Sequence, residues 1–294
     1  NLCGKSSKEN QMIYISTSCV KNTKIKDSVQ ELAENDFQNI ELSGGTEYYE
    51  NFENDLLELK DKYSLNYRCH NYFPPPKKPF VLNLASLNDE TFQMSFDHLE
   101  KVIALSNRLG ADKFAFHAGF FIDIRLSEIG KKLSRDNLFD KKEAVERFCN
   151  AYDVIKRKAK NVSLFIENNV FSKTNADTYD GENPFMMTNF DEYKSLKEKI
   201  NFNLLLDIAH LKVSSKTLRL DWEEEFENMM SVSSYIHVSD NDGFHDLNNQ
   251  LTKSSSLLTM LERSDTRNKD FTLEIYDGMD AIKKSYKVLS EVVL

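Results

Sequence analysis

Cysteine, proline and glycine are scarce in this chain of 294 residues, which contains four, five and nine of them. The cysteines are scattered and show no CxxC spacing: Cys3, Cys19, Cys69 and Cys149. This pattern indicates reduced thiols, so we predict a cytoplasmic protein. The few glycines form no dinucleotide-binding or P-loop motif after the first predicted strand, which argues against an open nucleotide-binding sheet.

Positive charge is also in short supply. Lys and Arg total 38 against 47 Asp and Glu, for a net charge of −9. Phosphate binding draws on clustered cations, so this balance argues against nucleic acid as a partner. No apolar run approaches the roughly 18 residues of a membrane span, and we see no secretory signal. Residues 1–11 are polar and patternless, and we interpret them as a loose leader before a single domain, residues 12–294.

The chain does contain a regular alternation of short apolar runs with helical patterns. The predicted strands are residues 13–18, 39–43, 65–70, 113–117, 162–167, 203–207, 235–238 and 271–275. Strands that alternate with helices favour a parallel sheet. Eight such repeats in about 280 residues predict an α/β protein with the (β/α)8 TIM barrel fold, a parallel eight-stranded barrel.

Histidines concentrate at the predicted carboxyl ends of the strands, where barrel sites are built. Five of the six lie there or shortly beyond: His70, His117, His210, His237 and His245. A partly buried histidine with its hydrogen bonds made explains any one of these positions, but five histidines on one face indicate a shared site. The sixth, His98, falls in the middle of a predicted helix, and we expect it on the surface.

Acidic residues end three of the same strands: Glu167, Asp207 and Glu274. Buried unpaired carboxylates are costly, and a bound cation is the usual remedy. With His237 they form a three-oxygen, one-nitrogen set that suits Mn²⁺, Mg²⁺, Co²⁺ or Zn²⁺. His70 and His117 could share Glu167 and hold a second ion. Structural salt bridges are the alternative for the glutamates, although no Lys or Arg ends a facing strand.

The two glutamates suggest a reaction. Because two other strands separate theirs, Glu167 and Glu274 should face each other across the metal. One carboxylate can remove a proton α to a carbonyl while the other returns it from the far side, with the ion polarising the carbonyl. This geometry predicts an isomerase or epimerase. With two or three ions, the same ligands could instead activate a water for phosphodiester cleavage.

Motifs at these strand ends resemble those of the xylose isomerase-like barrel superfamily. They are residues 166–168, 206–210, 237–243 and 273–274, and the resemblance extends from Met12 to the C-terminus. The superfamily contains sugar isomerases and epimerases and the metal-dependent apurinic endonucleases. The resemblance to its ketose 3-epimerase-like branch implies a metal quartet with two catalytic glutamates: Glu167, Asp207, His237 and Glu274. In that branch the position of His210 contacts substrate.

The resemblance to the endonuclease branch rests on histidines that match His70 and His117. Its third zinc site uses the position of His210 and an Asp-x-His sequence, but this loop reads Asp246-Leu247-Asn248 and lacks the last histidine. His245 is out of register. We therefore assign four residues to substrate binding: His210, His245, Asp246 and Asn248.

These observations predict a metal-dependent sugar, or sugar phosphate, isomerase or epimerase that uses one or two divalent ions. Its partner would be a small carbohydrate, with no nucleic acid and no membrane. The sequence leaves open whether the protein forms a homo-oligomer. An apurinic endonuclease-like hydrolase is the alternative. A sugar-binding barrel without catalytic activity is a third hypothesis.

Overall fold

Eight parallel strands form a closed barrel in the computed structural model, which describes residues 11–294. Each strand pairs with the next along the chain, and the eighth pairs with the first. The strands are β1 (Ile13–Ser16), β2 (Asn39–Leu42), β3 (Asn66–His70), β4 (Lys113–His117), β5 (Ser163–Glu167), β6 (Asn203–Asp207), β7 (Ser233–Val238) and β8 (Asp270–Leu273). The predicted (β/α)8 barrel is therefore confirmed. The predicted leader falls almost entirely in residues 1–10, which lie outside the described residues.

Ten helices cover the barrel within the described part of the chain. They are α1 (Ile25–Glu34), α2 (Phe52–Tyr63), α3 (Asp89–Leu109), α4 (Lys141–Lys158), α5 (Lys173–Thr178), α6 (Phe190–Lys197), α7 (Ile208–Leu218), α8 (Trp222–Val232), α9 (Ser256–Arg263) and α10 (Met279–Val293). None of the helices between residues 11 and 294 combines the length and apolar character needed to cross a bilayer.

Helix α3 shows how local sequence sets the ends of an element. The side chain of Asn88 accepts hydrogen bonds from the backbone N–H groups of Glu90 and Thr91, which satisfies donors of the first turn. Gly110 ends the helix with φ 67°, a left-handed conformation that glycine adopts without a Cβ penalty. Both signals are visible in the sequence.

The interior of the barrel is closed below its midpoint by charged and aromatic side chains. Arg68, fully buried, contacts Asp112 at 3.0 Å and Asp270 at 2.6 Å, and its guanidinium stacks on Tyr14 with 4.1 Å to the ring centroid. A small apolar cluster above it consists of Ala115, Phe165, Leu205 and Tyr235. The open end is therefore the one formed by the carboxyl ends of the strands.

Three long connections, residues 71–88, 118–140 and 168–188, pack together at that end. The side-chain amide of Asn169 donates to the carbonyls of Ala118, Gly119 and Met186 at 2.9 to 3.1 Å. A Cβ on Gly119 would lie 2.4 Å from the Cβ of Ala85, so this close approach requires glycine. The connections share an apolar cluster of Val81, Phe120, Ile122, Leu133, Phe171, Tyr179 and Phe185.

The prediction that His98 is a surface residue is wrong. His98 is 7% exposed, and its ring meets that of Phe80 edge to face at 6.0 Å between centroids. The connection before α3 folds back over the helix, as shown by the backbone N–H of Asn83, which donates to Ser95 Oγ at 2.9 Å. Helical periodicity could not anticipate a loop that covers the polar side of its own helix.

Candidate active site

The carboxyl ends of the strands surround a cavity of about 1070 Å³. Most of the predicted site residues line it: His70, His117, Glu167, His210, His245, Asp246, Asn248 and Glu274. Asp207 and His237 are 2% and 0% exposed and lie beneath this wall. The barrel therefore gathers side chains that are up to 204 positions apart in sequence, as the interval from His70 to Glu274 shows.

Glu167 is the residue around which the histidines converge. Its Oε2 lies 2.7 Å from His70 Nε2 and 3.3 Å from His117 Nδ1. Its Oε1 lies 3.6 Å from His237 Nδ1 and 3.7 Å from His210 Nδ1. One carboxylate at the end of β5 thus joins imidazoles from β3, β4, β7 and α7, so a single side chain connects two groups of metal-ligand atoms.

The charge states of the two glutamates follow from their surroundings. Burial raises the pKa of Glu167, but the imidazoles of His117 and His70 outweigh it and place the pKa well below its ordinary value. Burial likewise raises the pKa of Glu274, and His237 and His70 lower it to about 2. Both side chains are therefore carboxylates at neutral pH and can accept a proton or ligate a cation.

His237 lies between these carboxylates. Its Nδ1 is 3.6 Å from Glu167 Oε1 and 3.6 Å from Glu274 Oε2, and it is fully buried without a hydrogen-bond partner. Its Nε2 faces Glu41, a fully buried residue of β2 that the sequence analysis missed. The available signal was an acid between two apolar residues, Ile40 and Leu42, of a predicted strand.

Asp207 lies next to this group and makes a different set of contacts. It ends β6 and caps α7, because its Oδ1 accepts the backbone N–H of His210 at 2.8 Å. Its Oδ2 is 3.8 Å from His210 Nε2. Burial raises the pKa of Asp207 to about 7, although His210 opposes the shift. Three members of the predicted quartet therefore approach one another directly, and Asp207 approaches through His210.

Two of the four residues assigned to substrate binding contact each other, and the other two make separate contacts. His210 Nε2 lies 3.3 Å from Asp246 Oδ2, while its Nδ1–H donates to the carbonyl of Asn168 at 2.9 Å. His245 lies at the rim with its side chain 61% exposed, and its Nδ1 is 2.8 Å from Asp242. Asn248 is buried, and its carbonyl accepts the N–H of Tyr276. The structure thus brings His210 and Asp246 together and holds His245 away from them.

The donor atoms present fit a divalent cation. Between residues 11 and 294, three groups place their ligand atoms within 4.8 Å of one another: His70, Glu167 and His237; His117, Glu167 and His210; and Glu41, His237 and Glu274. Nδ1 of His117 and Nδ1 of His237 are buried with no hydrogen-bond partner. Unpaired ring nitrogens beside carboxylates form a mixed nitrogen and oxygen set that suits Zn²⁺, Co²⁺ or Mn²⁺.

A family profile described as xylose isomerase-like TIM barrel matches residues 29–292. A curated relative, the bifunctional uridylyltransferase/uridylyl-removing enzyme of Idiomarina loihiensis, is 23% identical over 168 residues, 54% of this chain and 17% of that enzyme. The chain therefore spans less than a fifth of that enzyme's length, and the match is too partial to carry an activity.

Solved structures of several proteins share the fold. A D-tagatose 3-epimerase-like protein gives a TM-score of 0.71 at 17% identity, covering 96% of this chain and 97% of its own. Endonuclease IV from Thermus thermophilus gives 0.61 at 14% identity, covering 95% and 98%. Another protein of that organism, soaked with ZnCl₂, gives 0.61 at 18% identity with the same coverage. At such identities the likeness shows the fold alone.

Proposed function

This chain belongs to the xylose isomerase-like TIM barrel family, and on that premise we propose that it is a divalent-metal-dependent isomerase or epimerase of sugars or sugar phosphates. The observation that carries the proposal is the position of Glu167 and Glu274. Each places one carboxylate oxygen 3.6 Å from the same unpaired nitrogen of His237. Two ionised carboxylates that approach one point can both reach a single carbon and exchange a proton with it.

In the proposed reaction, one glutamate takes a proton from the carbon next to the substrate carbonyl. The other glutamate first takes up a proton from solvent and then gives it back, either to the opposite face of that carbon or to its neighbour. The low pKa of Glu274 keeps its side chain in the proton-accepting form at neutral pH. A divalent ion held by Glu167, Asp207, His237 and Glu274 would polarise the carbonyl and stabilise the negative charge that develops.

The walls of the cavity suit a polyhydroxylated substrate. Short polar side chains line it around the site, namely Asn22, Thr23, Asn169, Ser172 and Thr174. Such groups both donate and accept hydrogen bonds, as recognition of sugar hydroxyls requires. Three lysines, Lys21, Lys131 and Lys132, also line the cavity and supply positive charge that suits a phosphorylated member of this class. The volume of about 1070 Å³ leaves room for either.

A metal-dependent phosphodiester hydrolase is the second candidate. The contacts of His70 and His117 with Glu167 favour it, because they offer ligands for a second ion beside the first. The region of His210 and Asp246 supports a third ion less well. Asn248 stands there at the position where the endonuclease-like pattern has a histidine. The proton-transfer function therefore ranks first, and cytoplasmic location and a small-molecule partner stay predictions with it.

The test is solvent-proton exchange. The protein loaded with Mn²⁺ is incubated in D₂O with a panel of ketoses and ketose phosphates, and deuterium at the carbon α to the carbonyl is followed by NMR. We expect incorporation by the wild type and its loss in Glu274→Gln, with Glu262→Gln, at an exposed glutamate of α9, as the matched control. Exchange that persists in Glu274→Gln removes that residue from the mechanism. Nicking of abasic duplex DNA without any exchange would instead establish the hydrolase.

A further inference from the structure

Glu41 is a buried acid that the proposed reaction does not use. It lies in β2, points into the barrel and is 0% exposed. His237 Nε2 lies 3.0 Å from its Oε1 and 3.2 Å from its Oε2, and Oε2 has the better hydrogen-bond geometry. The hydroxyl of Thr272 donates to the same Oε2 at 3.0 Å. A carboxylate at this depth is costly unless such partners hold it.

The contact decides which nitrogen of His237 carries a proton. A carboxylate offers only acceptor sites, so the nitrogen facing Glu41 must present an N–H. The opposite tautomer would turn the Nε2 lone pair toward two carboxylate oxygens, and Thr272 would be the one donor left to this carboxylate among the described residues. When His237 is neutral, its lone pair is therefore on Nδ1, and it is this atom that lies 3.6 Å from Glu167 and from Glu274.

We infer that Glu41 is a positioning residue that fixes the Nε2–H tautomer and the ring orientation of His237, so that Nδ1 is the metal-binding atom. Glu41 acts through His237 and contacts no substrate. Carboxylates that accept the second N–H of a metal-ligating histidine raise its basicity and lock its ring, and their loss weakens metal binding. The inference rests on the metal-binding part of the proposed function and is independent of whether the reaction is isomerisation.

Thr272 extends the same arrangement by one step. Thr272 lies on β8, two residues before Glu274, and its hydroxyl donates to the carboxylate of Glu41. Glu41 Oε1 has no hydrogen-bond partner of its own. The Thr272 hydroxyl is therefore the one contact besides His237 that fixes the rotation of this carboxylate among the described residues.

The experiment compares metal binding in matched acid-to-amide variants. Metal-free wild type, Glu41→Gln and Asp270→Asn are each titrated with Mn²⁺, and free Mn²⁺ is measured by EPR. Asp270 is the control because it is also a largely buried acid of the barrel interior, but it pairs with Arg68 and Lys113. We expect Mn²⁺ affinity to fall about 10- to 100-fold in Glu41→Gln and to stay at the wild-type level in Asp270→Asn.

A spectroscopic measurement on the wild type tests the tautomer directly. ¹⁵N chemical shifts of the histidines in the Zn²⁺-loaded protein distinguish protonated, metal-bound and free ring nitrogens. We expect His237 to show a protonated Nε2 and a metal-bound Nδ1. Metal bound at Nε2 would overturn the inference, because Glu41 would then be a ligand. Thr272→Val should weaken Mn²⁺ binding by a smaller factor than Glu41→Gln. If Glu41→Gln does not fold, Thr272→Val replaces it in the affinity comparison.

The outcomes separate this inference from the proposed function. Equal Mn²⁺ affinity in wild type and Glu41→Gln overturns the inference and leaves the isomerase proposal standing. A wild type that binds Mn²⁺ but exchanges no substrate proton refutes the isomerase, while the affinity comparison still decides the role of Glu41. A wild type that binds neither Mn²⁺ nor Zn²⁺ overturns both.

Discussion

His98 should make the protein less stable in mild acid, and replacing it should remove that sensitivity. Burial lowers the pKa of His98 from 6.5 to about 4, and the nearby Lys101 adds to the shift. Among residues 11–294 its buried Nε2 has no hydrogen-bond partner, so this atom gains no acceptor there when the ring is protonated. In the unfolded chain the same imidazole is exposed to water and takes up its proton near pH 6.5.

The sign of the effect follows from proton linkage. Because the native pKa is the lower one, only the unfolded state binds the proton between pH 6.5 and pH 4, so the free energy of unfolding falls as the pH falls. The full difference of about 2.5 pKa units corresponds to about 3 kcal/mol below pH 4. Between pH 7 and pH 5 the loss assigned to this residue is about 2 kcal/mol.

Urea unfolding of the wild type and of His98→Leu at pH 7 and pH 5 measures the effect. We expect the wild type to lose about 2 kcal/mol more than the variant over this interval. Val102→Ala is the control, because Val102 is a buried neighbour on α3 that does not titrate. This substitution should lower the free energy of unfolding by the same amount at both values of pH. If wild type and His98→Leu lose the same stability, His98 is not held neutral in the native state and the reasoning is refuted.

Two further predictions concern the site and the barrel interior. Burial lowers the pKa of His117 to about 4, so its ring is neutral at neutral pH and one ring nitrogen has a lone pair for a metal ion. We expect elemental analysis after dialysis against Co²⁺ to find two ions per chain in the wild type and one in His117→Ala. Equal counts would remove His117 as a ligand. Arg68→Met should lower the free energy of unfolding, measured with urea, by about 3 kcal/mol. This is the lower end of the range for a broken buried ion pair, because Asp112 is half exposed and Lys113 still pairs with Asp270. A cost below about 1 kcal/mol, the range of surface pairs, would contradict this account of the buried arginine.

Several elements were predictable because their signals are local. The apolar run before Asp207 and the cap and glycine at the ends of α3 are fixed by neighbouring residues, and eight such units leave few arrangements besides a closed barrel. Helix α7 has no clear start in the sequence because it begins immediately after β6, and Ile208, Ala209 and Leu211 continue the apolar run of the strand. A change of period from two to 3.6 cannot be seen where the chain is apolar on both sides of the boundary.

The sequence by itself determined which side chains reach the mouth of the barrel, because parallel strands place their carboxyl ends on one rim wherever the chain runs between them. Only the tertiary structure decided which of them meet. Strand stagger and barrel closure bring Glu41 of β2 against His237 of β7, and they place Glu167 rather than Asp207 at the centre of the histidines. The folded-back connection over α3 likewise buried His98. Contacts between residues far apart in the chain depend on how whole elements pack, which no short stretch of sequence records.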